Sequence, residues 1–201
     1  SVLGNQTISY TYDACGNRLA KTEGTGTTTY TYNANDQLIT ETAPGYTATY
    51  EYDANGNTGR KTQGSTITTY AYDFENRLIT SQTGSQQVGY QYDADGIRIR
   101  TTSNSGTVNY LVDKNLKYAQ VIEERDGSNS LLVSYLHGDD LISQKRGTAL
   151  SYYHYDGQMS TRKLSNTSGT VTDSYVYDAF GNLINRTGLT TNNYLYTGEQ
   201  Y

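Results

Sequence analysis

His137-Gly138-Asp139-Asp140 sets one imidazole beside two carboxylates, the groups that hold a metal ion or relay a proton. No second histidine lies near it in the sequence, and a lone His next to acids is the ordinary composition of a solvated turn. Asp53-Ala54-Asn55-Gly56 and Asp93-Ala94-Asp95-Gly96 begin as a calcium loop begins. They lack the third acidic position and the distal glutamate that complete an EF-hand. The same residues do a simpler job: an Asp carboxylate accepts backbone N–H groups across a tight turn, and Gly supplies a positive φ. Cys15, the only cysteine, sits in Asp13-Ala14-Cys15-Gly16 and reads as a small turn residue. His154, between Tyr153 and Tyr155, reads as an ordinary strand residue. No nucleophile elbow surrounds any serine, and there is no glycine-rich phosphate loop. The residues therefore predict no catalytic site, no metal site and no cofactor.

What does recur is a tyrosine pair closed by an acid or its amide. It appears as Tyr10-Thr11-Tyr12-Asp13, Tyr30-Thr31-Tyr32-Asn33, Tyr50-Glu51-Tyr52-Asp53, Tyr70-Ala71-Tyr72-Asp73 and Tyr90-Gln91-Tyr92-Asp93, spaced by 20 residues each time. It returns more loosely as Tyr153-His154-Tyr155-Asp156, Tyr175-Val176-Tyr177-Asp178 and Tyr194-Leu195-Tyr196-Thr197. A fixed period of this length marks a repeat architecture. Tyrosine rings stacked from strand to strand would stabilise a sheet, at roughly 0.2–1 kcal/mol per cross-strand pair. A tyrosine-lined face could also seat sugars, which makes glycans the alternative partner. The regularity favours construction over binding, since every unit would otherwise be the same site.

The elements that carry this motif read as strands. Ile8, Tyr10 and Tyr12 alternate with Thr7, Ser9 and Thr11, and Thr and Tyr suit a pleated surface. A turn follows each pair, with Gly16, Gly56, Gly96 and Gly181 at its tight position. A second strand follows the turn, as in Ile97-Arg98-Ile99-Arg100-Thr101. The units at Asn33 and Asp73 lack the turn Gly and share Leu-Ile-Thr, which suggests a true period of 40 with turns on opposite edges or against different neighbours. Residues 1–112 form the regular array and residues 113–201 a less regular one. Asp126-Gly127-Ser128-Asn129 and Ser165-Asn166-Thr167-Ser168-Gly169 read as turns within the second stretch.

Composition agrees. The chain has 201 residues, with 22 Tyr, 2 Phe and no Trp. So few aliphatic residues leave either a lean core of tyrosine rings or an extended sheet with no deep interior, and tyrosine's polar tip suits the sheet. A net charge of -5 without a Lys/Arg cluster gives no electrostatic footprint for nucleic acid. No apolar run is long enough to insert in a membrane as a helix. Asn5, Asn166 and Asn185 open Asn-x-Ser/Thr sequons, which matter only in a secreted eukaryotic protein.

These residues resemble the YD-repeat (Rhs) family over essentially the whole chain. The most specific stretch runs from Tyr155-Asp156-Gly157 through Tyr175-Val176-Tyr177-Asp178-Ala179-Phe180-Gly181-Asn182 to Tyr194-Leu195-Tyr196-Thr197-Gly198-Glu199-Gln200-Tyr201. The resemblance implies an all-β fold, an array of antiparallel hairpins in a curved, spiralling sheet that forms part of a hollow shell. In bacterial polymorphic toxins and insecticidal toxin complexes such a shell encloses a toxic C-terminal domain, and in teneurins a related shell serves adhesion. It implies a secreted or cell-surface parent protein. The implied partners are the rest of the parent shell and an enclosed C-terminal effector domain. The family's core, with its self-cleavage chemistry, is expected after Tyr201, so neither cleavage nor toxicity is carried over to any residue here. Raw sheet edges predict self-association. Replacing Tyr50 and Tyr52 by Ala is expected to lower the melting temperature more than replacing Thr47 and Thr49, and equal shifts would contradict a structural role for the pair.

Overall fold

The computed structural model describes residues 7–24, 26–115 and 118–200; Asn5 of the first sequon and Tyr201 lie outside them. The fold is all-β, with antiparallel strands and one short 3-10 turn at Tyr196–Gly198 among the described residues. The chain divides into two compact units. Residues 1–96 and 101–105 form the first, and residues 97–100 and 106–201 the second.

The first unit contains β1 (Ile8–Tyr12), β2 (Arg18–Glu23), β3 (Gly26–Tyr32), β4 (Leu38–Ala43), β5 (Tyr46–Tyr52), β6 (Thr58–Gln63), β7 (Thr66–Tyr72), β8 (Leu78–Thr83) and β9 (Gln86–Tyr92). Each pairs antiparallel with the next, and the odd-numbered strands end in the tyrosine pairs. β10 (Arg98–Ser103) has residues in both units.

Two kinds of turn join these strands. Two-residue loops such as Gly64-Ser65 and Gly84-Ser85 return the chain to the next tyrosine strand, with both glycines at φ 59°. That conformation matches the strand twist of a tight hairpin. At the other edge sit five-residue turns that begin at Asp13, Asn33, Asp53 and Asp73. Their backbone bonds are the same in every copy: Asp53 N to Asn57 O at 2.9 Å and Gly56 N to Asp53 O at 3.1 Å are repeated at Asn33 and Asp73. The turns that lack Gly do not lie on a different edge, contrary to the expectation from the 40-residue alternation. Asp36 and Asn76 take the glycine's left-handed conformation at φ 59° and 60°, which Asp and Asn tolerate because their short polar side chains bond locally. Side chains link neighbouring turns: Asn17 donates to Asp36 at 2.8 Å, Asn57 to Asn76 at 2.9 Å and Arg77 Nη1 to Asp93 O at 3.5 Å.

β1, β3, β5 and β7 each meet the following strand with a one-residue bulge beside the second Tyr. Thr11 faces Ala20 while Tyr12 faces Arg18, leaving Leu19 extra; Ile39 and Ile79 are the extra residues further along. A bulge bends the strand and increases its twist. The second Tyr also reaches back to the preceding hairpin. Tyr32 donates its hydroxyl to Arg18 O at 2.9 Å, Tyr52 to Leu38 O at 2.8 Å, Tyr72 to Thr58 O at 3.1 Å and Tyr92 to Leu78 O at 2.8 Å. The acceptor is each time the first residue of an even-numbered strand, 14 residues earlier.

The second unit contains β11 (Gly106–Asp113), β12 (Gln120–Asp126), β13 (Leu131–His137), β14 (Leu141–Arg146), β15 (Ala149–Tyr155), β16 (Thr161–Ser165), β17 (Val171–Tyr177) and β18 (Leu183–Thr187), again paired in chain order. It keeps the tyrosine tether, with Tyr155 bonded to Leu141 O at 2.7 Å and Tyr177 to Thr161 O at 3.0 Å. The two alternatives left by composition are each realised once. In the first unit the buried hydrophobic residues are Tyr30 and Ala48. In the second, Val133, Tyr135, Leu141, Tyr153, Leu164, Tyr175, Tyr177 and Tyr194 form a core made largely of tyrosine.

Tyr194-Leu195-Tyr196-Thr197 is not a further strand of the array. The chain after β18 crosses the tyrosine face of this unit as an irregular strap, stabilised by side chains rather than by a ladder. The sequence pattern alone does not distinguish the two, because a strap that lies on a tyrosine face uses the same residues as the face. Tyr52→Phe deletes one tether and is expected to cost about 0.5–1.5 kcal/mol in chemical denaturation. Tyr12→Phe, at a half-exposed ring, is expected to cost less.

Candidate functional site

The acids of the repeat are turn caps. Asp13 Oδ1 accepts Cys15 N at 2.9 Å and Asn17 N at 2.8 Å, while Oδ2 accepts Asn17 Nδ2 at 3.0 Å. Asp53 does the same with Asn55 and Asn57. Asp156 and Asp178 accept from residues two and four positions on, as Asn33 and Asn166 do. Asp93 accepts Asp95 N, and Gly96 N bonds Asp93 O. Gly16, Gly56, Gly96 and Gly181 stand at φ 91°, 88°, 77° and 84°. Asp73 additionally binds Arg77 Nε at 2.7 Å. The Asn17 side chain, opposed by desolvation, holds the Asp13 carboxyl below its ordinary value, and the Asn57 side chain does so for Asp53.

The tyrosine face of the first unit is organised by cations. Tyr10/Tyr12, Tyr30/Tyr32, Tyr50/Tyr52, Tyr70/Tyr72 and Tyr90/Tyr92 lie at the ends of alternate strands. Neighbouring strands are about 4.8 Å apart, so rings on alternate strands start nearly 10 Å apart, beyond aromatic stacking range. The intervening strand, or the turn that leads into it, fills that gap. The Arg18 guanidinium lies 4.3 Å from the Tyr30 ring centre and 6.0 Å from Tyr10; Lys61 covers Tyr50 at 5.5 Å and Arg77 covers Tyr92 at 5.3 Å. Ring-on-ring stacking between the tyrosine strands therefore gives way to cation–π contact through the strand between them. Glu41 receives both the Tyr46 and Tyr50 hydroxyls, at 2.8 and 3.0 Å. Its bond pushes the Tyr46 phenol up to about 12, and burial followed by the same carboxylate raises Tyr50.

The suspected chemical groups are used structurally. His137 Nε2 bonds the Val121 carbonyl at 3.0 Å, and His154 Nε2 bonds Ser165 Oγ at 2.8 Å. Among the described residues no group of three His, Cys, Asp or Glu could hold a metal.

The residues that sequence reasoning missed are those under the strap. Glu124 is 4% exposed and accepts from Tyr135 at 2.7 Å, Asn193 at 2.8 and 3.1 Å and Gln200 at 3.0 Å. Asp173, fully buried, accepts Thr190 N at 2.9 Å and Thr190 Oγ1 at 2.6 Å. Thr161 donates its N–H to Leu195 O and its hydroxyl to Tyr194 O, both at 2.8 Å. The Tyr194 ring meets Tyr135 edge-on at 5.0 Å and Tyr153 at 6.5 Å. Gly188 (φ 84°) passes so close to Asp173 that a Cβ would run into its carboxylate, and a Cβ on Gly181 would run into the Tyr196 ring. The only sequence signal was charge at the wrong place. Glu124 and Asp173 sit in strand patterns where a partner must come from elsewhere in the fold.

Residues 17–115 match the model of the Teneurin YD-shell. That match falls on the tyrosine strands and Asp turns described above. Over residues 17–115 the chain is similar to the YD-shell family. A curated relative, the tRNA3(Ser)-specific nuclease WapA of Bacillus spizizenii, is 32% identical over 98 residues, which is 46% of this chain and 4% of that protein. This chain thus spans a small fraction of the relative's length. Among solved structures, the TcdB2-TccC3-Cdc42 crystal structure is 14% identical with a TM-score of 0.47, over 99% of this chain and 17% of that one. The Photorhabdus luminescens Tc holotoxin pore is 14% identical with a TM-score of 0.46, over 96% and 16%.

In a YD repeat the Y and the D thus have separate tasks: the second Tyr ties a hairpin to its predecessor and the Asp closes the hairpin's own turn. The task of the Asp is sensitive to acid. With folded values held below the ordinary carboxylate value of about 4, Asp13 and Asp53 contribute stability above that value and lose it as pH falls through the lowered one. Asn33 makes the same backbone bonds without titrating. A double Asp13→Asn, Asp53→Asn variant is expected to lose less of its neutral-pH stability on acidification than the parent. Urea midpoints at pH 7 and pH 3 check this, and an unchanged acid loss would contradict it.

Proposed function

We propose that this chain is a wall segment of a YD-repeat shell that encloses a C-terminal effector domain of its parent protein, and that it contributes no catalytic residue. The observation that carries the reading is the tyrosine tether. The same hydroxyl-to-carbonyl bond joins each hairpin to the one before, so a sheet of this kind extends by adding identical units whose contacts are with neighbours. A one-residue bulge recurs beside the second Tyr of β1, β3, β5 and β7, and a bulge bends its strand. A long wall with a repeated bend suits enclosure. The match of residues 17–115 to the YD-shell supports the shell, and the likeness to one curated nuclease supports a toxin-like parent. On this reading Tyr10 to Asp178 of the motif are building residues, the parent protein is secreted or displayed at the cell surface, and the remaining partners are the rest of the shell and its cargo.

The test is protease protection in the full parent protein. The C-terminal domain is expected to resist limited proteolysis until the shell is opened by denaturant or by a cut in its wall. A C-terminal domain digested as fast in the parent as on its own would remove the basis for enclosure.

A further inference from the structure

The strap across the second unit is held the way a peptide ligand is held. Its backbone is gripped by side chains of several strands, not by one neighbouring strand. Gln144 Nε2 donates to Thr191 O at 2.9 Å, and Arg146 Nε donates to the same oxygen at 3.1 Å. Thr161 reads the carbonyls of Tyr194 and Leu195. Its side chains are read as well. Both oxygens of Glu124 receive Asn193, and Asn192 Oδ1 accepts the Tyr153 hydroxyl at 2.9 Å. Tyr194 is 4% exposed among aromatic walls. Asn192 also folds the strap for docking, since its Oδ1 accepts Tyr194 N and its Nδ2 donates to Tyr194 O.

Glu124, Gln144 and Asp173 lie beneath the strap at 4%, 1% and 0% exposure. Burial of such groups without a partner is costly, and the strap supplies partners to all three. The link to the body is thin by comparison. It runs from β18 through Gly188-Leu189, and the Leu189 side chain is 97% exposed.

We infer that the tyrosine face of the second unit is a recognition trough for an extended peptide built around Asn-Asn-Tyr, and that residues 190–200 are its tethered ligand. The trough takes an amide at the Glu124 position, a phenol ring between Tyr135 and Tyr153, and a hydroxyl-bearing residue at Asp173. A short tether gives the strap a high effective concentration, so it occupies the trough even when the untethered peptide binds modestly. This inference stands apart from the shell reading, because it concerns one face of one unit and not what the wall surrounds.

The experiment uses the full chain with a protease recognition sequence inserted after Leu189, cut only after folding. The cut strap is expected to stay with the body in gel filtration. It should then exchange with an excess of a fluorescent peptide of residues 190–200 up to one peptide per chain. Peptides carrying Tyr194→Ala or Asn193→Ala should compete at least about tenfold more weakly, a difference near 1.4 kcal/mol. The uncut chain, its trough filled, should take up none. Release of the strap without uptake of the peptide, absence of exchange over days, or equal competition by the Tyr194→Ala peptide would each overturn the inference.

Discussion

The bond from a tyrosine hydroxyl to a main-chain carbonyl of the preceding hairpin is the interaction on which the rest of this protein depends. A sheet with few aliphatic residues has little buried apolar area to hold successive hairpins together. The tether solves this with a single residue type. The ring supplies apolar area, and its tip satisfies a main-chain carbonyl. The bond occurs in both units, from Tyr32 to Tyr177. Tyrosine is required because no other common side chain combines that reach, that area and a donor at the end.

The tether also explains the distribution of charge. With tyrosine on alternate strands, the strands between must offer something that fits between rings. Arg18 and Lys61 do so from the strands and Arg77 from the turn before β8, each with its cation over a ring. The acid or amide that follows each tyrosine pair sits at the edge, where it closes a turn by accepting N–H groups. The face and the edge have different chemistries for a geometric reason, and the sequence repeats both in step.

The second unit departs from this scheme because its tyrosine face is covered. Once a strap lies over it, rings become core and polar groups beneath must be matched one by one. Glu124, Asp173 and Thr161 are matched by strap residues 17 to 76 positions away. Such pairings leave no local spacing to recognise. Tyr194-Leu195-Tyr196-Thr197 looks like the repeat for a physical reason: a residue that packs on tyrosine and bonds at its tip is itself best made as tyrosine.

Much of the architecture was legible from residues alone. The 20-residue spacing and the alternation around Tyr10, Tyr30, Tyr50, Tyr70 and Tyr90 determine the strands and the turns between them, because period and pleat are local properties, whereas the single edge shared by those turns was not read from them. The left-handed turn at Gly16 or Gly56 was equally local. The same conformation at Asp36 and Asn76 was hidden, since several residue types can adopt it once the flanking strands impose it. Only the tertiary structure decided what touches the rings, which carbonyl each hydroxyl reaches, and that the final tyrosines leave the array to lie across it. Those outcomes depend on distances between strands and on buried groups that need partners far along the chain, and neither quantity is written in the spacing of residues.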